Sequence, residues 1–310
     1  MNTANTMSDL PNEHKSVAPA ATMPTRPFYW SLRRELWENR SIYLAPLIVA
    51  VVVFVGFLFS TRGMPARRQA VLLLDPIKQR AIIGAPYDFA ATALLFTAFI
   101  VGFFYCLDAL YGERRDRSLL FWKSLPVSDF TTVLSKAIVP LAIIPVITFV
   151  TVIATQFLML LASSGILLPS GLAGTTWTRF DLIQQSIILL YALVALLLWH
   201  APLYGYLLFV SSVAPRATFL CAVLPAIVIG IFEKITFNTS HFASMIGSRL
   251  IEGVATRAFS INFHSHDSIT SLAQLTPGRF LSTPGLWIGL AVAAIFLGGA
   301  IRFRRYQGPL

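Results

Sequence analysis

Six runs of apolar residues, 42–60, 89–110, 137–162, 187–210, 217–237 and 286–301, punctuate the chain and alternate with polar, charged stretches. A helix rises ~1.5 Å per residue and the hydrocarbon core of a bilayer is ~30 Å thick, so about 17 apolar residues suffice to cross it. In lipid the backbone polar groups must be satisfied within the element, which makes each run a helix. The predicted fold is all-α, a polytopic membrane protein with about six transmembrane helices. Pro140 and Pro145 fall in the third run, Pro202 in the fourth and Pro225 in the fifth. They are expected to kink these helices without ending them, because neighbouring helices compensate the lost hydrogen bonds. Pro284 is a candidate start for the short sixth span. Glu233 and Lys234 are expected to mark the boundary of the fifth, since each costs ~2.5–3.5 kcal/mol at mid-membrane.

Composition agrees with this pattern. Of 310 residues, 56% are hydrophobic and 12% charged, about half the charged share of ordinary soluble domains. The formal net charge is +10, but the basic residues flank apolar runs instead of lining one solvated face, which argues for membrane anchoring and against nucleic acid. Cys106 and Cys221 both lie in apolar runs, with no CxxC motif, and are assigned to packing. Residues 1–27 are polar, lack the apolar core of a signal peptide, and read as a disordered cytoplasmic tail. The membrane domain is expected at 42–302, with a cytoplasmic tail at 303–310.

Basic residues near the span ends set the orientation. Arg33, Arg34 and Arg40 precede the first span, Arg114, Arg115, Arg117 and Lys123 follow the second, and Arg302, Arg304 and Arg305 follow the sixth. In a six-span arrangement these clusters share one side, which places both termini in the cytoplasm. The loop 61–87, with Arg62, Arg67, Arg68, Lys78 and Arg80, weakens the bias. On the outside, 241–259 spaces Phe242, Met245, Ile246, Leu250 and Val254 as one helical face with Arg249 and Arg257 elsewhere, the pattern of an interfacial amphipathic helix. Pro and Gly in TPGRFLSTPG are expected to break regular structure before the last span.

The stretch between the second and third spans, YGERRDRSLLFWKSLPVSDFTTVLSK, carries the most information. Glu113 and Asp116 suit the first half of a helix, and Leu119 with Trp122, and Phe121 with Leu125, recur at helical spacing. Pro126 ends this short amphipathic helix, and Ser128 with Asp129 can cap the third span. The segment resembles that of the membrane subunits of type 2 ATP-binding-cassette exporters, where a Glu-led charged stretch runs through leucines to Leu-Pro and a small polar residue. Here that pattern is Glu113, Arg114, Ser118, Leu119, Leu125, Pro126, Ser128 and Lys136, while Arg115, Arg117, Phe121, Trp122 and Lys123 are particular to this chain. The resemblance implies a cytoplasmic coupling helix that docks on an ATPase subunit. Ahead of the first span, residues 28–41 place Phe28, Leu32 and Leu36 on one face, with Trp37 nearby and Arg33, Arg34, Glu35 and Glu38 supplying charge. They resemble the interfacial elbow helix of such permeases. Basic and aromatic residues at an interface also anchor multispan proteins of many kinds, and that simpler role stays open for both segments.

The resemblance implies a permease that forms the translocation path in a bacterial inner membrane. It would be paired with a second permease, identical or related, and with two cytoplasmic ATPases that bind ATP and Mg. No cofactor is expected on this chain, which has no GxxxxGK[ST] loop. The apolar spans favour an amphiphilic or hydrophobic cargo such as a peptide, lipid or drug. Ion-driven transport and membrane-embedded catalysis are the competing classes. The former usually places more charge within spans, and the latter needs paired polar groups that are not apparent. Asp108 can pair with a nearby Arg or Lys, and His200 can line a polar path or bond between helices. His264, Ser265, His266 and Asp267 read as a solvated loop before a metal site.

Overall fold

The computed structural model describes residues 27–116, 128–260, 269 and 271–306. Among them the backbone is helical apart from turns and an isolated antiparallel bridge between Phe259 and Leu275. Six helical segments are long and apolar enough to span a membrane, as the hydrophobic pattern predicts, which is the architecture of an integral multi-pass protein.

Helix α1 (Pro27–Glu38) leads into α2 (Ser41–Ser60), the first span. The chain then reverses through Gly63, whose φ of +72° favours a residue without Cβ, and α3 (Met64–Leu72) follows. Helix α4 (Pro76–Ala109) continues almost without interruption into α5 (Tyr111–Arg115). Those 40 residues from Pro76 to Arg115 reach ~60 Å, about twice the hydrocarbon thickness. The segment 61–87, expected as a loop, is thus largely helical. Pro76 starts α4 where a missing N–H leaves no bond unmade.

The third span comprises α6 (Asp129–Ile138), a π turn at Val139–Ile143 and α7 (Ile144–Leu167). The π turn accommodates Pro140, which has no N–H to give and whose ring would crowd a regular turn. After α8 (Gly174–Arg179), Asp181 caps α9 (Leu182–Val213) by accepting from the amides of Ile183 and Gln184 at 2.9 and 3.1 Å. Helix α10 (Thr218–Phe237) ends at Asn238, in left-handed conformation. One turn before that end, the Glu233 carboxylate accepts from the Thr239 hydroxyl and from the amides of His241 and Phe242, at 2.7, 2.7 and 2.8 Å. It thereby caps α11 (His241–Gly247).

A π turn at Ser248–Glu252 joins α11 to α12 (Gly253–Ala258). Residues 241–259 are largely helical, as their spacing predicts, and the apolar positions of that face divide, with Val254 buried. Met245 and Leu250 are exposed, while the guanidinium groups of Arg249 and Arg257 lie 4.1 and 4.8 Å from the Trp199 ring. Arg249 also donates to the Gly285 carbonyl. The π turn adds a residue to the register, and the indole face with a free carbonyl provides the cations a better partner than an apolar stripe assigns them. TPGRFLSTPG likewise holds a helical turn, α13 (Pro277–Leu281), before α14 (Pro284–Tyr306), the sixth span.

The fourth and sixth spans approach most closely. A Cβ at Gly205 would stand 3.1 Å from the Ala293 carbonyl oxygen, the close backbone packing that small residues permit in lipid. Helix α10 lies at the periphery, with Leu220, Leu224, Ile227, Val228, Ile231 and Phe232 exposed.

Candidate functional site

At one end of the bundle, four helices converge on Glu113. Helix α5 carries it past the end of the second span, and it is only 6% exposed. Its Oε2 accepts from Arg304 Nη1 of α14 at 2.5 Å, its Oε1 accepts from Arg34 Nη2 of α1 at 3.0 Å, and the same oxygen is ion-paired with Lys136 Nζ of α6 at 3.2 Å. Lys136, 2% exposed, also donates to Glu35 Oε1 at 2.7 Å. Glu35 Oε2 in turn accepts from the Tyr105 hydroxyl of α4 at 2.9 Å. Arg304 Nε reaches Asp129 Oδ1 at 3.1 Å, so both faces of its guanidinium fork are engaged.

Among the described residues, four carboxylates, Glu35, Glu38, Glu113 and Asp129, pair with three cations, Arg34, Lys136 and Arg304. Pairing matters here. Breaking a buried pair by removing one partner costs ~3–5 kcal/mol, since the survivor stays desolvated. Arg34 lies at the rim. Burial opposes its charge, but the hydrogen bond to Glu38 and the Glu113 and Glu35 carboxylates outweigh it and raise its pKa.

The fourth span joins through neutral groups. Ser211 Oγ accepts from the Leu110 and Tyr111 amides at 3.1 and 2.9 Å, satisfying backbone at the α4–α5 junction. Arg114 Nη1 donates to the Ser212 and Ala214 carbonyls at 2.7 and 3.2 Å, closing the C-terminal end of α9 with a cation at its negative pole. One cluster therefore fixes α1 and the ends of the second, third, fourth and sixth spans against one another.

The sequence-predicted residues divide sharply. Glu113 and Arg114 point into the protein, whereas Arg115 is exposed and sits 3.8 Å from Asp108, the pairing foreseen for that aspartate. Ser128 caps α6 as expected, accepting from the Thr131 amide at 3.1 Å. In α1, Leu32 and Leu36 pack on the core, Phe28 is half-buried, and Arg33 lies over Trp37, its guanidinium 4.6 Å from the ring. His200 is buried, with Nδ1 2.9 Å from the Leu196 carbonyl and its ring beside Phe99 and Tyr204. Arg117, Ser118, Leu119, Phe121, Trp122, Lys123, Leu125 and Pro126 lie outside the described residues, as do the terminal tails before Pro27 and after Tyr306, and His264, Ser265, His266 and Asp267. Among the described residues no three His, Cys, Asp or Glu side chains group as metal ligands.

Sequence reasoning missed Glu35 and Tyr105. Glu35 counts as solvated charge in a charged run, yet it follows Leu32 by three positions and so shares its buried face. Tyr105 sits in an apolar run and carries no signal of its own. Among the described residues the cluster's acids and cations are engaged with one another, and sliding one helix by ~1 Å would break several charge-assisted bonds at once. No family model, characterised protein or solved structure matches the chain.

Proposed function

We propose that this protein is the permease subunit of an ATP-driven exporter of the type 2 ATP-binding-cassette class, coupled to a separate pair of cytoplasmic ATPases and working beside a second permease. The observation that carries the reading is the Glu113 cluster. It stands where the segment 117–127 leaves the second span and where the third span begins, so a push on that segment is delivered to four spans and α1 together. A merely anchoring loop has no need of such a joint, and a cluster whose buried charges are each met by an opposite one is the form in which charge can be buried at a moving interface.

Helix α1 supports the elbow reading. Tyr29, Trp30 and Trp37 are exposed on it, the residue types that settle at a bilayer surface. On this reading the cluster end faces the cytoplasm of a bacterial inner membrane. ATP and Mg act in the partner, and the chain contributes the path for an amphiphilic cargo.

The test is co-purification in detergent with the candidate ATPase, comparing wild type with Trp122→Ala/Leu125→Ala and with Lys136→Met. The docking variant should lose the ATPase. Lys136→Met should keep the ATPase bound but lose substrate-stimulated hydrolysis. Unchanged association and stimulation in the docking variant would defeat the proposal, and transport without any ATPase would favour an ion-driven carrier.

A further inference from the structure

At the opposite end of the bundle, a cavity of about 180 Å³ lies between α2, α3 and α4. Its polar lining includes Arg67, Arg68, Ser60 and Thr61, and its apolar lining includes Phe57 and Ile83. Arg68 is 5% exposed, and its Nη1 has no hydrogen-bond partner among the described residues. Among those residues no carboxylate lines the cavity. Burial alone lowers the Arg68 pKa, and the neighbouring Tyr87 only partly offsets it. Tyr87 does not neutralise it, because its hydroxyl pairs with Ser163 Oγ at 2.8 Å. Every other buried cation singled out above has an acid or a carbonyl as partner. Among the described residues Arg68 has neither, and it borders a space that a second arginine also lines.

We propose that this cavity binds the phosphate of a membrane phospholipid, with Arg68 as the principal donor and Arg67 at the rim. Planar guanidinium donors match phosphate oxygens. A buried cation without a partner is costly unless something supplies the opposite charge. The occupant is a lipid and not a free anion because the walls are apolar. Phe57 and Ile83 border the site, and Ile82 lines it while remaining half exposed toward the surface of a spanning helix. The cavity has room for a phosphate and the first carbons behind it, with the acyl chains outside along α2 and α4. The site stands apart from the exporter reading and does not depend on it.

Native mass spectrometry of the detergent-purified full-length protein tests this, with phosphatidylglycerol, diacylglycerol, glycerophosphoglycerol and inorganic phosphate as separate additions. Wild type should retain phosphatidylglycerol in preference to the other three. Arg68→Gln should weaken that binding roughly ten-fold, the loss of one charge-assisted contact. Arg68→Lys should fall between, and Arg216→Gln, exposed at the other end, should match wild type. Val71→Trp, which fills the cavity and keeps both arginines, should also lose the lipid, so the site stays testable if Arg68→Gln does not fold. Equal retention of phosphatidylglycerol by Arg68→Gln or Val71→Trp would overturn the assignment. Equal binding of diacylglycerol would do so by removing the phosphate from recognition, and competition by phosphate or glycerophosphoglycerol by making it a free-anion site.

Discussion

Two buried arginines, one at each end of the bundle, are met in opposite ways. Around Glu113, Arg304 meets two carboxylates. Around Tyr87, Arg68 is equally buried with an N–H unclaimed among the described residues. The first arrangement spends its charge on holding helices together, and the second leaves charge available. A buried cation therefore marks a joint or a binding site according to what faces it, and burial alone does not distinguish them.

The strongest challenge to this contrast is Glu113→Gln. It leaves Arg304, Lys136 and Arg34 undercompensated and should cost ~3–5 kcal/mol, read as a large fall in the thermal unfolding midpoint in detergent. Wild-type stability in that variant would mean the cluster is not a joint. A cycle of Glu35→Gln, Lys136→Met and the double variant sharpens the point. The double variant should be less harmed than the sum of the singles, by up to ~3 kcal/mol, and strict additivity would show that the 2.7 Å contact contributes nothing. Gly253→Ala probes the Trp199 platform between the two ends. Its Cβ would fall against the Ser248 carbonyl oxygen and 2.6 Å from the Trp199 ring, a steric penalty of ~1–3 kcal/mol. In lipid-stripped protein, Arg68→Met should raise stability by ~1 kcal/mol, because it removes an uncompensated charge and not half of a pair. A fall there instead would reveal a protein partner for Arg68. Arg115→Gln completes the series. Its contact with Asp108 is solvent-screened, and the unfolding midpoint should not move measurably.

Much of this architecture was legible in advance because lipid imposes it. Six long apolar helices and the cap at Ser128 each follow from a local rule about apolar length or unpaired amides. What was not legible shares another cause. The helicity of 61–87 and the inward turn of Arg249 depend on surfaces supplied by distant residues: α4 for the one, Trp199 and Gly285 for the other. The candidate site was half visible. Glu113, Lys136 and Arg304 each drew notice, as a docking residue, a motif position and an orientation charge, but nothing local says that they meet.

Sequence by itself determined how many segments are long and apolar enough to cross a membrane, since apolar length against bilayer thickness is a one-dimensional property. Only the tertiary structure decided which charges meet. Glu35, Glu113, Lys136 and Arg304 are separated by 23 to 269 positions along the chain and become neighbours only when the helix ends converge. Electrostatic neutralisation is a matter of ångströms in space, and the same positive charge that closes a joint at Arg304 stands open at Arg68.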